Sequence, residues 1–286
     1  MKIKILIIGA SGMVGNAFLR YFSDNKKYSV AGTVRNINSL KKIVNKNSHI
    51  IFEGINANKQ KSFLSVFEKF KPNIVINCIG SIKQKNDEYN STEFIKLNSL
   101  FPHYLAELST KFKARFIHLS TDCVFSGLKG NYKETDFPDA LDLYGRSKLL
   151  GEIKNVNALT LRTSVIGNEL NSSKSLLSWF LSQNKSIKGY KKAIFSGFTS
   201  NEYARIISEF IIPNDKMNGL FHISSEPINK YDLLNLIKKI YKKDIDIKLD
   251  DNISINRSLN SSLFRKHTGF KPKPWELMIK EMEEFK

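Results

Sequence analysis

With 286 residues, 41% of them hydrophobic and 11% aromatic, the chain has enough apolar material for one large α/β domain or a nucleotide-binding domain with a smaller lobe, and disorder is excluded. The formal charge of +18 favours polyanionic partners, yet only 8 of the 45 basic residues are arginines, and the lysines fall in scattered pairs such as Lys191-Lys192 and Lys242-Lys243. That pattern suits a solvated, lysine-rich surface and argues against sequence-specific nucleic-acid readout, where arginine dominates.

The first apolar run, Ile3 to Ile8, is too short for a membrane span or a secretory core and ends in a glycine turn, so it reads as a buried strand. Further strand candidates follow at Tyr28 to Thr33, Ile50 to Phe52, Ile74 to Cys78, Arg115 to Ser120 and Leu159 to Thr163, with helix-length segments between them. Short strands alternating with crossover helices predict a Rossmann-like, doubly wound parallel sheet over residues 1–165. Residues 166–286 read as a smaller substrate lobe. It has helices near Ser173 to Gln183, Asn201 to Ile211 and Lys230 to Tyr241, strands at Leu220 to Ile223 and Ile245 to Leu249, and a terminal helix after Pro274. The boundary is soft, since nothing near 165 resembles a linker, and Leu220 to Ile223 is a candidate to return to the main sheet. The cysteines, Cys78 and Cys123, form neither a disulfide framework nor a zinc-binding pair of motifs, and the five histidines lack metal-ligand spacing. A soluble cytoplasmic protein without bound metal is expected.

Directly after the first strand comes Gly9-Ala10-Ser11-Gly12-Met13-Val14-Gly15, then a helix. Glycines so spaced permit a tight turn, bring backbone amides to a pyrophosphate and let helix and strand approach closely. Such a triplet alone also fits an ordinary strand-to-helix turn; its place at the first β-α junction is what favours a dinucleotide. The second strand runs into Arg35, where an NAD-selective site places an acid, so a cation is offered to a 2′-phosphate and NADP(H) is preferred over NAD(H).

Tyr144 and Lys148 stand four residues apart and share one helical face. An ammonium beside a phenol favours the tyrosinate, bringing a group of reference pKa about 10 nearer working pH, so it can exchange a proton with a carbonyl or alcohol oxygen. Any helix can carry this spacing by chance. The preceding RFIHLSTDCVFSG, residues 115–127, strengthens it, because the strand ends in Ser120 and Thr121 at the edge where open parallel sheets bind ligands.

These segments resemble the extended short-chain dehydrogenases/reductases, and among them the dTDP-4-dehydrorhamnose reductases, which share the glycine turn, the STD-x-VF-x-G segment and the YG-x-[ST]-K helix in this order. Asn77-Cys78-Ile79-Gly80, Asn98, Leu161-Arg162-Thr163-Ser164, and Arg257 to Leu263 with Trp275 extend the likeness over nearly the whole chain. The resemblance implies Thr121, Tyr144 and Lys148 as catalytic residues, with Ser120 a competing hydroxyl. It also implies a cofactor site of Gly9, Ser11, Gly12, Met13, Val14, Gly15, Arg35, Asn77, Cys78, Gly80, Asn98, Tyr144 and Lys148. Asp122, Cys123 and Arg257 are candidates for substrate binding, and Lys266 joins Arg257 as a candidate for the diphosphate on charge alone.

The implied reaction is NADPH-dependent reduction of a nucleotide-diphosphate 4-keto-6-deoxy sugar in deoxysugar and cell-surface polysaccharide biosynthesis. The implied partner is that sugar nucleotide, with no nucleic acid and no membrane insertion, and a homodimer is an assembly open to the chain. Three departures bear on the sugar: Cys123 in place of a tyrosine, Gly80-Ser81-Ile82-Lys83 in place of a small-residue and aromatic loop, and Ser258 in place of a proline. Competing readings are an epimerase or dehydratase that returns the hydride to the sugar, and a non-catalytic subunit that holds NADP without turnover.

Overall fold

The computed structural model describes residues 2–41, 43, 50–81, 91–154 and 157–285. Of the positions singled out above, Ile82 and Lys83 lie outside the described residues. The chain forms two compact units, each assembled from separated stretches. The first comprises Met1–Ser120, Leu141–Leu161 and Asp215–Leu220; the second comprises Thr121–Ala140, Arg162–Asn214 and Phe221–Lys286.

In chain order the first part holds β1 (Ile3–Ile8), α1 (Met13–Ser23), β2 (Tyr28–Thr33), β3 (Ile50–Phe52), α2 (Lys61–Phe70), β4 (Ile74–Asn77), α3 (Ser91–Ile95), α4 (Phe101–Lys111), β5 (Arg115–Thr121), α5 (Leu143–Leu150) and β6 (Ala158–Thr163). It continues with β7 (Val165–Ile166), α6 (Leu176–Ser182), β8 (Ile187–Tyr190), β9 (Ala193–Phe195), β10 (Phe198–Thr199), α7 (Ser200–Ile206) and β11 (Gly219–His222). The remainder is β12 (Ile228–Asn229), α8 (Lys230–Ile240), β13 (Ile247–Asp250), β14 (Ile255–Asn256), α9 (Ser262–Thr268) and α10 (Trp275–Glu284). No helix among the described residues is long and apolar enough to cross a membrane.

Seven strands form the main sheet in the order β11-β6-β5-β4-β1-β2-β3, and the pairs β1 with β2, β1 with β4, β2 with β3, and β4 with β5 are parallel. This is the expected Rossmann-like α/β fold. The order reverses at β1, where the chain moves out to β2 and β3 and then returns to β4; such a switch point leaves a crevice at the carboxyl ends of the strands. β1 and β4 are apolar on both faces because helices cover both, which is why KIKILIIG reads as a run rather than an alternation. On α2, Phe63, Val66, Phe67 and Phe70 recur at helical spacing and are buried, Phe63 packing on Phe101 of α4 with ring centroids 5.1 Å apart.

The second unit is built from short strands, in the orders β10-β7, β12-β9-β14 and β13-β8, together with α6 to α10. Its α7 carries Glu202, whose fully buried carboxylate pairs with Arg205 and Lys273. The helix expected to span Asn201 to Ile211 is α7 followed by a π-helical turn at Ile207–Ile211. That expected over Ser173 to Gln183 starts later, because Ser175 caps it by accepting the Ser178 N–H at 3.3 Å. Helix α9, which ends at Gly269 in the left-handed conformation, has only Phe264 buried and so shows little periodicity in sequence.

Candidate active site

The glycine turn is shaped by steric necessity. A side chain at Gly15 would place its Cβ 2.1 Å from the Gly9 carbonyl oxygen, so only glycine lets α1 sit so close to the end of β1. Gly9 itself adopts φ +85°. The turn is pinned to β2 by Ala10 N–H donating to the Thr33 carbonyl at 2.9 Å and Gly9 N–H donating to Thr33 Oγ1 at 3.1 Å. At Gly12, the N-cap of α1, no side chain caps the helix and its first turn carries no acid, so the amides of Met13, Val14 and Gly15 open an end suited to an anion. Ser11 and Gly12 are accessible there, whereas Gly15 is buried. Arg35 is exposed just beyond β2. Glu53, the nearby acid, is engaged by the Ile37 N–H at 2.8 Å. The cradle therefore fits a pyrophosphate, and the exposed cation of Arg35 lies beyond the neighbouring strand of the same unit.

Asn98 organises the other side of the first unit. It lies in a π-helical turn, Lys96–Leu100, between α3 and α4, and is fully buried. Its Oδ1 accepts the Ser81 N–H at 2.7 Å, while its Nδ2 donates to the Ser81 carbonyl at 3.1 Å and to Ser147 Oγ at 3.0 Å. One amide thus fixes both the segment after β4 and helix α5. That helix begins at Asp142, whose Oδ1 accepts the Gly145 N–H at 2.9 Å, and it carries Tyr144, partly exposed, and Lys148, 6% exposed.

The Lys148 ammonium donates to the Leu119 carbonyl on β5 at 2.7 Å. Burial pulls it down to about 8, against the partial support of Glu152 and Cys78. A Cβ on Gly80 would stand 3.2 Å from Asn98 Oδ1 and 3.8 Å from Lys148 Nζ, so Gly80, Asn98 and Lys148 share one site. Cys78 borders it; burial drives its thiol far above the ordinary value, with the Lys148 charge opposing. Asn77 has a turn-forming role: its Oδ1 accepts the Ile79 N–H at 3.0 Å and its Nδ2 meets His118 Nδ1 at 3.3 Å. His118 is held neutral, first by burial and then by the Lys148 charge.

Two functional neighbours here escaped the sequence reading. A Cβ on Gly151, which caps the end of α5, would lie 1.9 Å from the Asn98 carbonyl oxygen, so this glycine allows α5 to lie against the π-helical turn. Glu152 accepts the Ser120 hydroxyl at 2.7 Å and supports the Lys148 charge. The available signal was Gly-Glu directly after the YGRSK helix.

The remaining candidates belong to the second unit. Thr121 Oγ1 accepts the Cys123 N–H at 3.1 Å, capping the 3₁₀ turn Asp122–Val124, and donates to Asp122 Oδ1 at 3.2 Å. Asp122 is buried, and Cys123 is half-buried with its thiol pushed up to about 12 by burial and then by Asp122, Arg257 opposing. Arg257 Nε donates to the Phe125 carbonyl at 2.8 Å. Phe125 stacks on Tyr132 at 4.1 Å, and the Arg162 guanidinium lies 5.1 Å above its ring. Asp122, Cys123 and Arg257 thus form one cluster, whereas Lys266 is exposed on α9. Ser258, in place of a proline, accepts the Asn131 N–H at 2.8 Å and gives its own N–H to Asn256 Oδ1 at 3.0 Å, two bonds that proline could not make.

Curated relatives and solved structures agree with this layout. A dTDP-4-dehydrorhamnose reductase of Aggregatibacter actinomycetemcomitans is 24% identical over 312 residues, covering 99% of each chain. The methionine adenosyltransferase 2 subunit beta of Bos taurus is 28% identical over 171 residues, 58% of this chain and 48% of the bovine protein. The structure of a Bacillus anthracis dTDP-4-dehydrorhamnose reductase in complex with NADP superposes with a TM-score of 0.80 at 17% identity, covering 100% of this chain and 99% of that one. The family model described as the RmlD substrate binding domain matches residues 3–284. Because that match runs through the stretches of both compact units, the chain belongs to the RmlD substrate binding domain family, within the extended short-chain dehydrogenases/reductases.

Proposed function

We propose that the chain reduces the ketone of a nucleotide-diphosphate 4-keto-6-deoxy sugar with NADPH, in preference to NADH. The observation that carries this is the Lys148 ammonium, fixed at the Leu119 carbonyl beside Asn98 and Gly80 and one helical turn from Tyr144. The relatives named dTDP-4-dehydrorhamnose reductase, one with NADP, support the substrate class and the cofactor. The same reading puts the chain in the cytoplasm, in keeping with its two free thiols.

When bound, NADPH supplies a hydride to the ketone carbon. The amides from Gly9 to Gly15 would hold its pyrophosphate, Arg35 would meet the 2′-phosphate, and Cys78 and Gly80 would border the remainder, with Asn77 and Asn98 fixing the backbone around them. Lys148 would hold the ribose and keep Tyr144 ready to give its phenolic proton to the ketone oxygen. Thr121 is the hydroxyl proposed as the substrate's partner, since its hydrogen is freed by turning away from Asp122, a rotation about one bond. Ser120 is less suited, since its hydrogen already goes to Glu152. All of the residues assigned to the cofactor belong to the first unit, and Asp122, Cys123 and Arg257, assigned to substrate, to the second.

Similarity to a methionine adenosyltransferase subunit favours a second reading, an NADP-holding subunit without turnover. The test is a set of 4-keto sugar nucleotides assayed by NADPH absorbance. Net consumption is expected, and Tyr144→Phe should lower kcat about 10²- to 10⁴-fold while NADPH still binds. Normal turnover by that variant removes the mechanism. NADPH binding with no turnover of any keto sugar supports the subunit reading, and an isomeric product without consumption supports an epimerase.

A further inference from the structure

A second lysine, half-buried, stands in the other unit. Lys230 opens α8, and its ammonium lies 3.8 Å from the ring centroid of Phe195 on β9. Among the described residues no carbonyl or hydroxyl accepts a hydrogen bond from it, and no carboxylate reaches ion-pair distance. The strand order carries it toward the Asp122–Val124 turn: α8 starts directly after β12, β12 pairs with β9 and β9 with β14, and Arg257, next after β14, donates to the Phe125 carbonyl at the end of that turn; Asp122 is the carboxylate whose field reaches the ammonium. Cys123 lies in turn within the fields of Asp122 and Arg257, so Lys230 joins the cluster of Asp122, Cys123 and Arg257.

Stability does not explain this placement. A cation in the first turn of a helix opposes the helix dipole. The helix is already capped by Asn229, whose Oδ1 accepts the Asp232 N–H at 2.8 Å. Partial burial draws the Lys230 ammonium down to about 8, so the surroundings on the protein side do not favour the charge. Attraction to the Phe195 face offsets part of this but leaves the N–H donors unspent. Three donors beside a carboxylate that accepts from Thr121 define a ligand with both a hydrogen to give and lone pairs to receive.

We propose that Lys230 is a specificity-determining residue that, together with Asp122, binds a ring hydroxyl of the sugar moiety, the hydroxyl donating to Asp122 and accepting from Lys230. A phosphate brought to the same place would meet the Asp122 carboxylate, whereas a hydroxyl satisfies both groups. Phe195, below the ammonium, keeps water from the remaining side. The inference rests on the sugar-nucleotide reading above and names one recognition element within it.

Equilibrium binding of dTDP and of dTDP-rhamnose to the full-length protein tests it. The wild type should bind dTDP-rhamnose more tightly than dTDP. Lys230→Met, which keeps the apolar stem over Phe195, should lose that sugar-dependent gain at least tenfold while dTDP affinity stays within twofold. Equal weakening of both ligands makes Lys230 a diphosphate contact and overturns the proposal, and no weakening of either makes it a packing residue with the same result. If Lys230→Met does not fold, Asp122→Asn, which keeps the lysine, must lose the same gain or the proposal fails. A wild type that binds neither of these ligands nor any of the sugar nucleotides of the NADPH assay removes the functional reading itself, and this inference with it.

Discussion

Lys148, buried, and Lys230, half-buried, are both ammonium groups drawn down to about 8, but the first unit and the second hold them differently. Lys148 is anchored by a directional bond to a strand carbonyl and surrounded by a fixed frame of Asn98, Gly80 and Ser147. Lys230 rests on an aromatic face, which attracts charge but sets no direction for its N–H groups. A group that must present a proton donor at a set position needs the first arrangement. One that awaits a ligand to complete its hydrogen bonds is served by the second. The difference predicts that small disturbances of the frame damage the Lys148 site, whereas Lys230 acts only through what binds.

The largest effect expected from this contrast is at Gly151. A methyl group there would lie 1.9 Å from the Asn98 carbonyl oxygen, a backbone atom that cannot swing aside as a flexible side chain does. Gly151→Ala should therefore cost about 1–3 kcal/mol or more in denaturant unfolding, and surviving protein should show reduced turnover as α5 shifts. Unchanged stability and turnover would mean that the π-helical turn yields to α5, and that the frame is softer than the hydrogen bonds around Asn98 imply.

A subtler test uses pH. The folded value of Lys148 is about 8 against an ordinary 10.5. Between those values the unfolded chain holds a proton that the folded chain has lost, so this group's destabilising contribution is fully present below about pH 8 and fades as pH rises toward 10.5. Function runs the other way. If the ammonium is the working form, kcat/KM for reduction should fall as pH rises through about 8. The titratable groups bearing on it are Glu152 from beyond α5, which is charged, and the Cys78 thiol after β4 and His118 on β5, which burial keeps neutral. Glu152→Gln removes the first support while keeping an acceptor for Ser120, so the alkaline limb should move to lower pH by about half a unit to one unit. A limb that stays in place would show that Glu152 serves Ser120 and not Lys148.

The same contrast explains what could be read from the residues alone. β1, β2 and β3 were legible to the residue, because buried parallel strands leave compact apolar runs bounded by polar turns. That Tyr144 and Lys148 share one helix was legible from their four-residue spacing, and both lie on α5. Asn98 was visible only through resemblance, and its function as a clamp depends on Ser81 and Ser147, 17 and 49 residues away. Gly151 and Glu152 were missed because each acts on a partner brought near only by folding. Lys230 was missed for the same reason: in sequence it is one of many lysines, and only Phe195, Asp122 and Cys123 set it apart. Local periodicity reveals elements, whereas long-range desolvation is written in no single segment.

The smallest predicted effect concerns a cation of a third kind. Arg35 is exposed after β2, neither anchored like Lys148 nor laid on a ring like Lys230, and solvent screens it in the free protein. Its proposed partner, the 2′-phosphate, would arrive with the ligand, and a guanidinium can meet it with two parallel donors. Arg35→Ala should therefore weaken NADPH about tenfold, on the order of 1.4 kcal/mol, while leaving NADH nearly unchanged. Because the contact is solvent-exposed, the gap between the two cofactors should narrow as salt is raised, whereas the pH limb set by the buried Lys148 should hold its position. Titrating both cofactors at two ionic strengths separates these cases. Tighter binding of NADH than of NADPH by the wild type would remove the assigned preference, and an equal loss of both in the variant would make Arg35 a contact to a part of the dinucleotide that the two share.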